Sequence, residues 1–324
     1  MKLTRRTMLT AAAAAVVAPR AGFAALVDKP ITLLHGFGAG GSADGVARIL
    51  AENLSKKLGR SVVVEAKPGA GGTIASREVA KSAKPDGATL VFLTGGHSVA
   101  AAIYNVLPYD TLKDFTYIGL AGYGGPFVLF ANAQNPVKTT SEVIKLAKEK
   151  PGMLTFGSSG VGTTGHLSMA LMMSMAGIQM EHIPYKDSAQ PGVDLAAGRV
   201  DFVIANLGSV KAHIQSGKIK AIGVTSAERF IDLSDTHAFA EDGVKGYDVT
   251  TYYGIAGPAG LPDDVVATIN KALGEIMADT AVAEKLRPLT TFPLTSTPKE
   301  YYEQVAMEIQ KWSGVVQTAA IPKM

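Results

Sequence analysis

Along most of this chain a short run of consecutive apolar residues ends in a cluster of glycines, and apolar residues at helical spacing follow. Residues 31–34 are the first such run and read as a strand. Residues 46–58 carry apolar side chains every third or fourth position and read as a helix. Between them lies the turn His35-Gly36-Phe37-Gly38-Ala39-Gly40-Gly41-Ser42-Ala43-Asp44. Its glycines let the backbone approach a ligand closely. The first amides of the following helix have no intrahelical partner, so the turn gathers free N–H donors at the positive end of a helix dipole. An anion suits such a place.

The same pattern repeats. A β-rich run at 61–65 leads into Pro68-Gly69-Ala70-Gly71-Gly72-Thr73 and a helix over 74–82, and a strand at 89–93 leads into Thr94-Gly95-Gly96-His97-Ser98. After Gly124-Gly125-Pro126, read as a boundary, it restarts with a strand at 127–131 and a helix at 140–148. A strand at 154–156 feeds Gly157-Ser158-Ser159-Gly160-Val161-Gly162-Thr163-Thr164-Gly165-His166 and a helix through Met175, whose methionines read as core filling. Strands at 180–183 and 200–204 end in Pro184-Tyr185-Lys186-Asp187-Ser188 and Ala205-Asn206-Leu207-Gly208-Ser209. In an open parallel sheet such turns share the carboxyl edge of the strands and converge on one crevice. A strand at 249–257 and amphipathic helices at 262–278 and 298–319 are expected to return to the first half. The resulting division is 25–124 with 248–324 as one lobe and 125–247 as the other, with a hinge where the chain crosses twice.

Composition narrows the function. With 47% hydrophobic residues among 324, the chain can bury two medium cores. Its formal charge is +3, but Lys2, Arg5, Arg6 and Arg20 lie in a leader without acids, and the remaining 27 basic residues face 28 acidic ones. The electrostatic footprint of nucleic-acid binding is therefore missing. Residues 1–24 read as an export signal: a twin arginine at Arg5-Arg6, an alanine-rich run at 8–18 too short to span a membrane, and small residues at Gly22-Phe23-Ala24. There is no cysteine, and the six histidines form no ligand-spaced pair, so no metal is expected.

Gly36, Gly38 and Gly41 also fit the G-x-G-x-x-G pattern of dinucleotide folds, and Glu65 ends the next strand where a ribose-binding acid would stand. On the residues alone this turn is a nucleotide site, a site for another anion, or plain turn geometry. An exported oxidoreductase using it is the competing reading for the whole protein. Against that reading, no nucleophile, base and orienting group can be placed together, and Ser158-Ser159 is not a nucleophile elbow. The dinucleotide reading explains one turn, and a binding cleft explains all six. No catalytic residue and no cofactor are expected.

Several stretches carry a resemblance to a known family. They are Phe37 with Gly40-Gly41 and Asp44; residues 68–73; Pro85-Asp86-Gly87 with Thr89-Leu90; and Leu107-Pro108-Tyr109-Asp110 with Lys113-Asp114-Phe115. Gly157-Ser158-Ser159-Gly160 with His166-Leu167, Pro184-Tyr185-Lys186, Asn206-Leu207, and Ala256 with Pro258-Ala259-Gly260 complete the set. In this order and spacing, the chain resembles the periplasmic solute-binding receptors of tripartite tricarboxylate transporters, the Bug receptors. It departs from their usual pattern at Gly36 (commonly proline), Ala66-Lys67 (Asn-Arg), His97 (a small residue), Asp187 (glycine) and Ala205 (an acid).

The resemblance implies an α/β protein with a two-lobed type II periplasmic-binding-protein fold, each lobe a mostly parallel sheet flanked by helices. It implies a periplasmic monomer that captures a small organic carboxylate (a dicarboxylate, tricarboxylate or aromatic acid) and hands it to integral-membrane permease subunits. With the turns, it places the ligand among Phe37, Gly38, Ala39, Gly40, Gly41 and Ser42; Gly71, Gly72 and Thr73; Gly95 and His97; Ser158, Ser159, Thr163 and His166; and Tyr185, Lys186 and Asn206. Asp44 is expected to serve the start of its helix rather than the ligand, because an acid is stabilising there and would repel an anion. Ala205 is expected at the cleft, where the missing acid would disfavour amino-acid ligands.

Overall fold

Successive side chains of a strand point to opposite faces, so a strand buried on both sides divides its apolar residues between two cores. In β1 (Ile31–His35), Ile31 and Leu33 join one apolar cluster and Leu34 another. In β7 (Phe202–Asn206), Phe202 and Ile204 face one cluster while Val203 and Ala205 face a second. The computed structural model describes residues 29–318 and 321–324, and the export signal expected over 1–24 lies outside them.

Two groups of parallel strands result. β2 (Val62–Ala66) and β3 (Thr89–Thr94) flank β1 in parallel, and β5 (Thr155–Ser158) pairs in parallel with β6 (Glu181–Pro184) and with β7. They are joined through β4 (Phe115–Asn132), whose first part pairs antiparallel with β9 (Thr250–Pro258). Its last residues pair antiparallel with β7 and β8 (Ile219–Val224), and β10 (Phe292–Thr295) adds to its middle. The sheet is therefore mixed, with order β2-β1-β3-β9-β4-β7-β5-β6. The antiparallel centre was not visible in the pattern. Gly124-Gly125-Pro126, expected as a boundary, lies inside β4: Pro126 is registered opposite Thr250, and the register shifts on either side absorb the irregular residues.

Helices cover both faces. On the first group, α1 (Ser42–Leu58), α8 (Asp263–Met277) and α9 (Thr280–Leu286) bury one face, while α2 (Thr73–Ser82) lies on the other. On the second group, α4 (Thr140–Glu149) and α5 (Thr164–Ala176) bury one face, and α6 (Gln190–Ala196) with α7 (Leu207–Gln215) the other. α10 (Pro298–Thr318) does more than return to the first half. Tyr301 and Val305 join the first group's core, but Trp312 and Val316 join the second's, beside Val99 and Ile103 of α3 (Gly96–Ile103).

Candidate functional site

Three helices from the two halves begin at one place. α1 starts after Gly41 and α7 after Asn206, and neither N-cap residue bonds its helix through a side chain. α5 starts after Thr163, whose hydroxyl accepts the His166 amide at 3.3 Å. The first-turn amides of a helix lack intrahelical acceptors. Here they surround a narrow chamber bounded by Ser42 and Ala43 of α1, Thr163 and Thr164 at α5, and Asn206 and Ser209 at α7. Phe37, Thr94, Ser159 and Ser188 come from the glycine turns, and Phe127, Thr251 and Tyr253 from the crossing strands β4 and β9. Among the described residues, none lining the chamber carries a charged side chain. Helix N-termini and hydroxyls thus supply a positive field and hydrogen-bond donors with no fixed anion to oppose them.

The first turn is held in shape by its own acid. Asp44 is buried; its carboxylate accepts the Gly40 amide at 3.1 Å and Arg48 Nε at 3.0 Å. Burial alone would raise its pKa, but the bonds from Arg48 and Gly40 hold it below the usual value. His35, fully buried, accepts the Phe37 amide at Nδ1 (3.3 Å), so Nε2 carries the proton and donates to Asp44 at 3.1 Å. Burial outweighs the pull of Asp44 and lowers the pKa of His35, which stays neutral. Asp44 therefore serves the turn, as expected. At the departure from proline, a Cβ on Gly36 would lie 2.2 Å from Gly72 Cα, so only glycine lets the first two turns meet.

The halves touch across the chamber. A Cβ at Gly41 would fall 1.9 Å from Ser188 Oγ, one at Gly38 2.6 Å from Asp187 Cβ, and one at Gly71 3.1 Å from the Val161 carbonyl. Ser42 Oγ lies 3.3 Å from Ser209 Oγ. Outside Phe37 the groove widens into a mouth bounded by Gly71, Tyr104, Ser159, Tyr185 and Lys186. Tyr185 donates to Asp194 at 2.9 Å, and Lys186 is exposed with no ion pair among the described residues.

The sequence-expected site residues separate accordingly. Phe37, Ser42, Ser159, Thr163 and Asn206 line the chamber; Gly71, Tyr185 and Lys186 line the mouth; Gly38 and Gly41 admit the opposite loop. Gly72 lies behind Phe37 with His97. Ala39 and Gly40 are exposed, and the Gly40 amide is taken by Asp44. The Gly95 amide is taken by the Tyr252 carbonyl at 3.1 Å, and Thr73 borders neither chamber nor mouth. His97 is packed among Tyr109, Phe115 and Tyr117. Ser158 is fully buried and bonds His182 Nε2 at 2.7 Å, and His166 stacks on His182 at 4.2 Å. Ala205 lies in an apolar cluster with Val128 and Val203, facing away from the chamber. Ala43, Thr94, Thr164, Ser188 and Ser209 lie in the expected turns but were not among the expected ligand residues, and Phe127, Thr251 and Tyr253 were missed altogether; polar threonine within a fully buried strand was the signal for the last group. An open surface concavity by Gln134, Asp201 and Lys218 is reached by none of the glycine turns.

The buried histidines predict a pH dependence. Burial lowers His166 to about 4, and burial together with the neighbouring His166 lowers His182 to about 3. In the unfolded chain both titrate near 6.5. The unfolded state therefore binds more protons below that pH, and stability that is complete above pH 6.5 is lost as pH falls toward 4. Thermal melts should show Tm declining between pH 7 and pH 5. Replacing both residues (His166→Gln with His182→Gln) should flatten that decline, and an unchanged slope would contradict the assignment.

Comparison with known proteins agrees with this architecture. The sequence profile described as "Tripartite tricarboxylate transporter family receptor" matches residues 46–321. A protein from the tcbD-tcbE intergenic region of Pseudomonas sp. (strain P51) is 34% identical over 293 residues, 90% of this chain and 87% of that protein. The solved structure of R. palustris Rpa4515 with adipate superposes with a TM-score of 0.86 at 33% identity, covering 91% of this chain and 99% of that one. The structure of the periplasmic binding protein BugD gives 0.85 at 31% identity over 92% and 99%.

Proposed function

The chain belongs to the tripartite tricarboxylate transporter receptor family, and on that footing we propose that it is an exported receptor holding a small organic carboxylate in the chamber between its halves. The observation that carries this reading is the meeting of three helix N-termini, α1 from one half and α5 and α7 from the other, around a chamber without charged side chains. A carboxylate there is compensated by amides and hydroxyls. Rpa4515, solved with adipate, offers a precedent of the same fold. Lys186 at the mouth supplies a cation on the approach path.

In this reading residues 25–124 with 248–324 and residues 125–247 are the lobes, and β4 and β9 are the hinge strands. α3 and the end of α10 pack on the second lobe's core and move with it or slide over it. The protein works in the periplasm as a monomer, after export directed by residues 1–24, and delivers its ligand to membrane permease subunits. No helix among the described residues is long and apolar enough to cross a membrane. The protein is not an enzyme in this account. Where a dinucleotide's pyrophosphate would sit, Gly38 and Gly41 instead receive Asp187 and Ser188, which leave it no room.

A thermal-shift screen of mono-, di- and tricarboxylates, aromatic acids and acidic amino acids tests the proposal. A ligand at a hundredfold excess over Kd stabilises by about 2.7 kcal/mol, several degrees in Tm. Carboxylates should shift the melt, and an acidic amino acid should do worse than the dicarboxylate lacking its ammonium, because no acid lines the chamber. NAD and NADP at millimolar concentration should show no saturable binding in equilibrium dialysis. A dinucleotide shift with no carboxylate shift would replace this reading with the oxidoreductase one.

A further inference from the structure

Behind Phe37, separate from the chamber, a small cavity lies between the end of β3, Ser76 of α2, the Gly71-Gly72 turn, His97 and Tyr109. Its free space is about that of one water molecule. Two buried polar atoms of its walls, His97 Nδ1 and Tyr109 Oη, have no hydrogen-bond partner, and each residue is only 6% exposed. The Ser76 hydroxyl and Thr111 carbonyl are near enough to bias the titration of Tyr109 and His97, yet neither completes a hydrogen bond to these two atoms. Buried polar groups left unpaired cost stability, and a water-sized space beside two such groups calls for a guest.

The proton inventory says what the guest must be. Tyr117 Oη donates its one proton to the Thr111 carbonyl at 2.7 Å, so in its 3.1 Å contact with His97 Nε2 the histidine is the donor. Burial lowers the His97 pKa to about 3 and keeps the ring neutral, which leaves Nδ1 as a bare acceptor. Tyr109 Oη has a proton to give. Its ring lies nearly parallel to that of His97, with centroids 5.7 Å apart. A carboxylate is excluded because it would meet the Nδ1 lone pair. An O–H group that donates to one atom and accepts from the other satisfies both.

We propose that this cavity is an O–H site of the receptor, holding one water molecule between His97 Nδ1 and Tyr109 Oη. The guest lies against Gly71, Gly72 and Phe37, so it supports the wall that separates chamber from mouth.

Tyr109→Phe tests the proposal by the sign of its effect, because it keeps the ring and removes only Oη. If a water bridges the pair, the variant loses a hydrogen bond and Tm falls by a few degrees. If the cavity is dry, the hydroxyl is an unsatisfied group whose loss leaves Tm unchanged or raises it, and the proposal is overturned. A crystal structure of the ligand-free, unsubstituted protein gives an independent answer: density for a water within about 3.2 Å of both atoms supports the site, and an empty cavity overturns it. Neither measurement involves a ligand, so failure here is distinct from failure of the carboxylate screen.

Discussion

Gly71→Val should lower carboxylate affinity by about a hundredfold and erase the ligand-induced rise in Tm. Gly71 has φ +63°, a conformation that costs other residues roughly 1–2 kcal/mol, and a β-branched one more. A Cβ there would also lie 3.1 Å from the Val161 carbonyl and 3.3 Å from the Gly162 carbonyl carbon, across the contact with the other half of the chain. The first cost falls on every folded form. The second falls only on the closed one, and a ligand shifts the equilibrium by no more than its differential affinity for the two. About 2.7 kcal/mol against closure is a hundredfold in affinity. Titration calorimetry on the variant checks the loss, while its ligand-free melt, lower by only a few degrees, shows that the fold survives. Wild-type affinity in Gly71→Val would mean that closure over this turn is not part of binding.

Ser209→Asp should have an effect at least as large, by a different route. Ser209 lies in the first turn of α7 with its Oγ 3.3 Å from Ser42 Oγ, so the new carboxylate would sit where three helix N-termini converge. An acid in a first helical turn is locally favourable and should leave the fold intact. Facing a bound carboxylate at about 4 Å, with an effective dielectric near 20, it would oppose binding by about 4 kcal/mol, roughly three orders of magnitude in Kd. Ser209→Ala removes one neutral hydrogen bond and should cost about 1 kcal/mol. If Ser209→Asp instead strengthens any ligand found in the screen, the chamber binds a cationic group and the anion account is wrong.

How far these features were legible in the sequence depends on how local their causes are. Each glycine turn lies between a strand and the helix that it starts, so residues 35–44, 157–166 and 205–209 declared themselves through neighbouring residues. β4 did not, because Gly124-Gly125-Pro126 reads as punctuation locally, yet partners far away in sequence, β10 at Tyr123 and β9 at Tyr123 and Pro126, carry the strand through it while Gly125 takes the irregular turn at φ +67°. The same is true of the site. Phe127, Thr251 and Tyr253 come to the chamber on strands with no turn signal, while Gly40, Gly95 and Ser158 look like free donors until Asp44, Tyr252 and His182 claim them. His97 and Ala205, both departures from the family pattern, were expected at the cleft. Strand alternation sends Ala205 to the apolar cluster, and three aromatic rings enclose His97.

The central claim is that one carboxylate is held by backbone donors of both halves, and a crystal structure with a hit from the screen tests it most directly. The account predicts carboxylate oxygens within about 3 Å of amide nitrogens at the start of α1 and at the start of α5 or α7, with Ser42 and Ser209 still facing each other. A ligand bound through one half alone, or seated in the open concavity beside Gln134 and Lys218, would contradict it.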